Sequence, residues 1–170
     1  NDWSEMQVNQ GFSWRDQSVS FKTLLNDVST SVEFNVVKKF QPLPNSIRII
    51  SVPFLCCGSG DLEVATITDA MSISIRSGLY QLIFEAGISG HSGAWCRFSM
   101  IENGELNPAI LRQDAELSPK YPLIVGCPSS KPQLGNFFRS DGANRPSTVG
   151  WRRDHGRSSF GNWLRPCAPC

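Results

Sequence analysis

The chain has 170 residues, of which 40% are hydrophobic, and a formal net charge of +1. This length allows one core of good size and leaves little room for two independent enzyme domains. The sequence contains no run of about eighteen apolar residues, and its first residues, NDWSEMQ, have neither a basic region nor an apolar signal core. These features exclude a helical membrane span. From the length, we expect one folded domain with an appendage.

The charge is distributed unevenly along the chain. Residues 1–117 carry 8 Lys or Arg against 13 Asp or Glu, a net charge of −5, whereas residues 118–170 carry 8 against 2, a net charge of +6. An acidic body disfavours direct nucleic-acid binding and suits a basic protein partner, although a similar surplus also keeps many domains soluble. The acidic body and the basic tail are therefore expected to differ in structure.

The six cysteines, at positions 56, 57, 96, 127, 167 and 170, have no regular spacing. A domain of this size does not need disulfides, so we predict free thiols in a reducing compartment and a cytoplasmic protein. Cys56 and Cys57 follow a predicted strand and are expected to be buried thiols. The terminal Cys167-Ala168-Pro169-Cys170 has C-x-x-C spacing without the strand-to-helix setting that lowers a thiol pKa.

The first predicted element is a short helix, which begins after Asp2 or Ser4 and ends at Gly11. Alternating apolar residues then predict strands at residues 19–21, 32–36 and 47–52, the third of them closed by Pro53.

Residues 48–86 are the most informative part of the chain, because apolar residues recur there at every second position. Glycines separate these runs where turns are needed. A mobile glycine-rich loop at 88–93, a strand at 94–100, a loop with a helical turn at 108–117 and a last short strand at 123–125 complete the prediction. The pattern predicts an all-β fold, an antiparallel β-sandwich of about seven strands with a short N-terminal helix.

The periodic pattern ends near residue 126, and Gly, Pro, Ser, Asn and Arg dominate residues 127–170. We therefore predict a domain over residues 1–126 and a disordered basic tail over residues 127–170. The arginines of the tail, interleaved with aromatic residues, suit phosphate binding and base stacking, but a solvated arm is the simpler interpretation.

The residues needed for catalysis are scarce. The sequence has two histidines, His91 in a glycine-rich loop and His155 in the tail, and 90–93 lacks the final glycine of a nucleophile elbow. A single C-x-x-C does not make a zinc site, and no glycine loop has the spacing of a phosphate cradle. The closest carboxylate pairs lie within single segments rather than facing each other across a cleft. We predict that the chain is not an enzyme and that it has no catalytic residue, metal or cofactor.

An ordered series of short segments resembles the competence protein J (ComJ) family, the inhibitors of the DNA-entry nuclease. The segments are Asp2-Trp3-Ser4, Gly11-Phe12, Val19 with Phe21, Val52-Pro53-Phe54, a glycine loop, Leu62-Glu63-Val64, Ile73 with Ile75, and Gly78-Leu79-Tyr80-Gln81-Leu82. The resemblance covers residues 2–125 and excludes the tail. Most of the matching residues are ones that determine the fold, so the resemblance is more specific for the architecture than for any functional residue.

The resemblance implies a non-catalytic β-rich protein that binds and blocks a nuclease. It implies a protein partner, no direct nucleic-acid binding by the folded domain, no membrane insertion, and a membrane association only through the nuclease. Surface carboxylates can imitate phosphates in the basic cleft of such a partner. As the partner surface we hypothesise Asp61, Glu63, Asp69 and Glu85 with Trp95 nearby; alternatively, these carboxylates line a solvated sheet face and Trp95 is core.

The competing class is a β-sandwich binding module for carbohydrate or another small ligand. Such a module would use exposed aromatic side chains on a concave face, with Trp14, Tyr80 and Trp95 as candidates. Exposure distinguishes the two classes, because coplanar aromatics in solvent indicate a sugar platform and an acidic convex patch indicates the inhibitor.

Overall fold

A computed structural model of the chain describes residues 3–15, 18–26, 28–57, 61–65, 70–90 and 93–125, and the backbone of 160–166. Within these residues it contains one helix and ten strands. The elements are α1 (Glu5–Gln10), β1 (Phe12–Arg15), β2 (Ser18–Lys22), β3 (Thr30–Val36), β4 (Arg48–Cys56), β5 (Asp61–Ala65), β6 (Ala70–Ser74), β7 (Gly78–Ser89), β8 (Gly93–Glu102), β9 (Ala109–Arg112) and β10 (Phe160–Pro166).

The N-terminal helix α1 is held by the cap that its sequence predicts. The backbone N–H of Gln7 donates to the Ser4 hydroxyl, and the backbone N–H of Ser4 donates to the Gln7 side chain at 2.8 Å, which completes a capping box. Gly11 ends the helix with φ of +79°, a conformation that favours glycine. The prediction of a short helix between Ser4 and Gly11 is confirmed.

The strands form two five-stranded sheets. Sheet A has the order β1-β2-β10-β5-β6 and sheet B the order β3-β8-β7-β4-β9. The all-β class is confirmed, although the described residues form ten strands rather than about seven. The pairing is antiparallel except between β3 and β8, which run parallel. A parallel pair needs a long connection, and here that connection contains β4 to β7.

The two sheets share one hydrophobic core built from alternate residues of their strands. Phe21 of sheet A stacks on Phe84 of sheet B with ring centroids 4.5 Å apart, and Phe98 packs against both rings. Because side chains alternate between the faces of a strand, the residues between these core positions lie on the outer faces of the two sheets.

Two predicted strand boundaries are wrong. Strand β4 continues through Pro53 to Cys56. The Pro53 carbonyl accepts a hydrogen bond from the Trp14 indole, so this side of Pro53 faces away from β7, and the N–H that proline lacks is not needed for pairing with β7. Residues 109–112, predicted as loop, form β9, which places Ile110 beside Ile50 on the core.

The predicted strand at 123–125 is not formed. The side-chain amide of Gln10 instead makes both backbone hydrogen bonds there: its Nε2 donates to the Ile124 carbonyl at 3.0 Å, and its Oε1 accepts from the Ile124 N–H at 2.9 Å. A buried side chain therefore takes the place of a neighbouring strand.

Strand β10 was not predicted by the sequence pattern. It lies in the middle of sheet A and pairs antiparallel with β2 on one side and β5 on the other. The prediction of disorder is therefore wrong for Phe160–Pro166, since two flanking strands satisfy its backbone groups. Residues 126–159 and 167–170, including the arginine-rich part of the tail, lie outside the described residues, and the domain boundary after residue 126 stays a prediction.

One cysteine prediction is confirmed and one is wrong. Cys56 and Cys96 are buried and are not disulfide-bonded. Cys57, in contrast, was predicted to be a free thiol and is disulfide-bonded. Disulfide pairing depends on residues that approach in space, which the irregular cysteine spacing of this chain does not reveal.

A buried arginine joins the two sheets at the start of β4. Arg48, with none of its surface exposed, donates from Nη1 to the Lys22 carbonyl of β2 at 2.7 Å. Its Nε donates to Asp114 at 2.5 Å, and its Nη2 donates to Glu116 at 3.2 Å. The guanidinium thus connects β2, β4 and the turn after β9.

The Asp114 carboxylate makes this cluster sensitive to acid. Burial raises its pKa, but the hydrogen bonds from Arg48 and from the Glu116 backbone and the Arg48 charge outweigh burial and hold the pKa below its ordinary value of 3.8. A depressed pKa in the folded state gives stability that is complete above the unfolded-state pKa and is lost as pH falls through the folded-state pKa.

We therefore expect Asp114→Asn to lower the free energy of unfolding most above about pH 5, with a difference from the unmodified chain that shrinks as pH falls below about 4. Urea unfolding at pH 7, 5, 4 and 3 measures this difference. A difference independent of pH over this range would show that the charge of Asp114 does not contribute to stability.

Candidate functional site

The residues predicted to form one partner surface lie on different sheets. Asp61 and Glu63 belong to β5 of sheet A, whereas Glu85 lies on β7 and Trp95 on β8 of sheet B. Asp69 falls outside the described residues. The structure therefore does not bring the predicted set together.

Asp61 and Glu63 share the outer face of β5. The residues between and after them, Leu62 and Val64, are buried in the core, so the two half-buried carboxylates project away from it. The register places Ser74 beside Asp61 and Ser72 beside Glu63, and the Ser74 hydroxyl donates to Asp61 at 2.9 Å. We call these four residues the β5–β6 surface.

The β5–β6 surface borders the edge of sheet A. Strand β6 is the last strand in the order of that sheet, so one side of its backbone has no strand partner among the described residues. Met71 on this strand has 50% of its surface exposed. Met71 pairs with Val64 and therefore points from the opposite face to the two carboxylates and two hydroxyls. A flat, polar sheet face at an edge suits a protein partner better than a small ligand, which is usually bound in a concave pocket.

Glu85, predicted to lie on the partner surface, is instead fully buried and ion-paired within the protein. Its side chain has no exposed surface. One carboxylate oxygen accepts from the Leu43 N–H at 2.7 Å and from the Ser46 hydroxyl, and the other accepts from Arg97 Nε at 2.7 Å. The segment that precedes β4 covers the carboxylate, which leaves it no access to a partner.

Trp95 is also occupied by contacts within the protein. It is half-buried and lies opposite Gly87 in the register of β7 and β8. A Cβ added at Gly87 would overlap the Trp95 ring, so glycine is what allows the indole to lie flat on the strand. The indole N–H is buried without a hydrogen-bond partner among the described residues. Trp95 therefore acts mainly as a cover for the backbone of β7.

The aromatic residues considered for a sugar platform do not share a face. Tyr80 is buried in the core and donates from its hydroxyl to the Arg76 carbonyl at 2.8 Å. Trp14 packs against the same core from sheet A, and Trp95 lies on the outer face of sheet B. These three side chains therefore do not provide the coplanar, solvent-facing arrangement that such a module needs.

Sequence reasoning missed a pocket of about 190 Å³ on the outer face of sheet B. The pocket lies between β3, β8 and the segment after β3, and Arg97 contacts the Phe40 ring face at 5.9 Å from its centroid. Its lining residues are Asn35, Val37, Lys39, Phe40, Gln41, Arg97 and Ser99. The Arg97 charge is already neutralised by Glu85, which leaves Lys39 as the other cation among the lining residues.

Neither a metal centre nor a membrane span is found in the part of the chain that the structure describes. No three His, Cys, Asp or Glu side chains come together there in a way that could hold a metal ion. No helix there combines the length and the apolar character needed to cross a membrane.

The protein is all-β, and the two carboxylates of the β5–β6 surface lie near the edge of sheet A. The family model described as competence protein J (ComJ) matches residues 1–101, which is more than half of the chain. The chain therefore belongs to the competence protein J family. No curated protein and no solved structure matches it.

Proposed function

We propose that this protein binds and blocks a DNA-entry nuclease without catalysing a reaction. Membership of the competence protein J family is the observation that carries the proposal, together with the inhibitor role that the sequence resemblance implies. The protein would act in the cytoplasm, reach the membrane only through the nuclease, and leave DNA itself unbound by the folded domain.

The β5–β6 surface is the best candidate for the contact with the nuclease. A DNA-cutting enzyme has a basic cleft for phosphates, and carboxylates held at strand spacing can occupy the same positions. Asp61 and Glu63, two residues apart on one strand face, have Cα atoms about 7 Å apart, close to the separation of successive phosphates along a DNA strand. The β strand holds this spacing without further ordering on binding, which lowers the cost of association.

Exposed groups at the same sheet edge would add affinity. Met71, which is paired with the core residue Val64 and so points from the opposite face of β6, offers a flexible apolar side chain that adapts to a partner wrapping the edge. The free edge of β6 offers backbone N–H and C=O groups to an extended segment of the nuclease. The carboxylate charges would mainly set the association rate, and the contacts of Met71 and the β6 edge would mainly set the dissociation rate.

Charge reversal tests this surface. We expect Glu63→Lys to weaken inhibition by about tenfold, because it replaces an attractive contact with a repulsive one worth at least about 1.4 kcal/mol. The measurement is cleavage of linear DNA by the DNA-entry nuclease of the same organism, with the full chain titrated at low and high salt. The matched control is Glu33→Lys, which reverses an exposed glutamate on β3 of sheet B.

Glu33→Lys should inhibit like the unmodified chain, and the effect of Glu63→Lys should shrink at high salt as the charges are screened. Equal inhibition by both variants, with unchanged thermal unfolding, would remove the β5–β6 surface as the contact. Unchanged cleavage in the presence of the folded, unmodified chain would overturn the inhibitor function and favour the small-ligand module.

A further inference from the structure

The pocket on the outer face of sheet B is small and is lined mainly by groups that donate hydrogen bonds. It has a volume of about 190 Å³ and lies against Arg97 and Ser99 of β8, Asn35 of β3 and the segment that follows β3. Sites for drug-sized ligands usually measure about 300–1,000 Å³. This pocket therefore has room for a small molecule or for one side chain of a partner.

Arg97 keeps part of its hydrogen-bonding capacity after it has paired with Glu85. Its Nε–H donates to Glu85 at 2.7 Å, and its Nη2 forms the ion pair with Glu85 and donates to the Gln41 carbonyl at 2.7 Å. Its Nη1 donates to no group among the described residues. Since the Trp95 indole nitrogen is the one buried side-chain nitrogen or oxygen without a partner in that part of the chain, Nη1 is accessible. Two guanidinium N–H groups of a lining residue are therefore open to a ligand.

Ser99 supplies a further donor that the protein does not use. The residue is 3% exposed, and its hydroxyl makes no hydrogen bond within the described ranges of the chain. A nearly buried hydroxyl without a partner costs free energy until water or a ligand satisfies it. Because Arg97 and Ser99 are two residues apart on β8, their side chains project from the same face. A ligand that reaches the Ser99 hydroxyl therefore also lies near Arg97.

The charge and the apolar surface of the pocket suit a singly charged anion. Glu85 has no exposed surface and balances the charge of Arg97, whereas Lys39 is exposed and forms no ion pair among the described residues. No carboxylate is among the lining residues. Phe40, whose ring faces the Arg97 guanidinium, and Val37 add apolar surface. The net charge of about one favours a carboxylate over a doubly charged phosphate.

We propose that this pocket binds a carboxylate on a short apolar stem. The carboxylate oxygens accept hydrogen bonds from Arg97 Nη1, the Ser99 hydroxyl and Lys39. The stem packs against the ring of Phe40. Hydrogen bonds to an ionised partner are about twice as strong as those between neutral groups, so the charge of the ligand decides its affinity. The carboxylate belongs to a free small acid or to an acidic side chain of a peptide, since both present the same group on a short stem.

Titrations of the full chain followed by ¹H–¹⁵N NMR at pH 7 and low salt test the ligand chemistry. Butyrate should shift the Arg97 Nε–H signal and the amides of residues 37–41 in a saturable way and leave the amides of β5 unchanged. Butyramide, which has the same shape without the charge, and inorganic phosphate should bind at least about tenfold more weakly. Equal binding of butyrate and butyramide, or no saturable shift with butyrate up to about 10 mM, would overturn the proposal.

A capped Ala-Glu-Ala peptide in the same titration distinguishes the two sources of the carboxylate, with capped Ala-Gln-Ala as the uncharged control. Tighter binding of the glutamate peptide than of butyrate would assign the pocket to an acidic side chain of a partner. Tighter binding of butyrate would assign it to a small acid. Both results support the carboxylate site.

Variants of the lining residues test where the ligand binds. Lys39→Gln should weaken butyrate binding about threefold to fivefold, because an exposed ammonium contributes modestly, and Lys38→Gln, an exposed neighbour outside the pocket, should bind like the unmodified chain. Ser99→Ala should weaken binding by about tenfold. Thermal unfolding identifies the variants that fold normally. Equal affinities of Lys39→Gln and Lys38→Gln in normally folded samples would contradict the assigned contacts.

Discussion

Arg48→Ala is expected to lower the free energy of unfolding by about 3–5 kcal/mol, because it leaves a mostly buried carboxylate without its partner. The Asp114 side chain is 10% exposed and loses its hydrogen bond from Arg48, while the Lys22 carbonyl of β2 loses a second one. Since this arginine connects both sheets with the turn after β9, its loss should also reduce cooperativity. Urea unfolding monitored by tryptophan fluorescence measures both effects.

The control for this prediction is Arg76→Ala. The Arg76 side chain is 82% exposed and lies 4.0 Å from Glu102, so its ion pair is screened by solvent and should contribute less than about 1 kcal/mol. Arg48→Met separates charge from volume, since it keeps much of the side chain's length but leaves Asp114 unpaired. A loss below 1 kcal/mol for both Arg48 variants would contradict the role assigned to the buried cluster.

Glu85→Ala should lower the free energy of unfolding by about 3 kcal/mol or more, because Arg97 is left as a mostly buried charge without its counter-ion. The Leu43 N–H and the Ser46 hydroxyl also lose their acceptor. Residues 38–47 should then exchange their amide hydrogens faster than in the unmodified chain, because the carboxylate fastens them to the outer face of sheet B. Chemical denaturation and hydrogen exchange measure the two effects.

Glu33→Ala provides the control, since this exposed glutamate on the same face accepts a hydrogen bond only from the neighbouring Asn35 among the contacts described. It should change stability by less than about 0.5 kcal/mol. Inhibition by the folded fraction of Glu85→Ala should equal that of the unmodified chain if Glu85 is structural. A loss of inhibition at normal stability would instead return Glu85 to the partner surface.

The parts of the fold predicted correctly are those in which a pattern within a short stretch of sequence determines the element. The alternation of apolar residues in β2, β3, β7 and β8 marks the face of each strand that packs on the core, and the α1 cap is encoded by Ser4, Gln7 and Gly11 in one short segment. Strand β9 was missed because a four-residue strand with three consecutive apolar residues shows no period.

Strand β10 was missed for a different reason. Its neighbours in the sequence are rich in Gly, Pro, Ser and Arg, and its place in the sheet is created by β2 and β5, which come much earlier in the chain. A local pattern does not contain that information, since the pairing arises from tertiary contacts.

In the candidate site, too, the features set by local sequence were predicted and those set by tertiary contacts were not. Two-residue spacing correctly placed Asp61 and Glu63 on one face of a strand. The burial of Glu85 could not be predicted in this way, because the groups that enclose it come from Arg97 on β8 and from Leu43 and Ser46 before β4. A charged residue inside an otherwise apolar run, as in Phe84-Glu85-Ala86, was the available signal for a buried ion pair.

The position of β10 also has a consequence for synthesis on the ribosome. Sheet B uses residues 30–112, so it can form while the chain is still being made, whereas sheet A cannot become continuous until residue 166 has left the exit tunnel. Until then, β2 and β5 each expose an unpaired edge to the crowded cell. The nascent protein therefore passes through a stage in which extended segments of other chains can pair with it, and chaperones that shield strand edges would raise its yield.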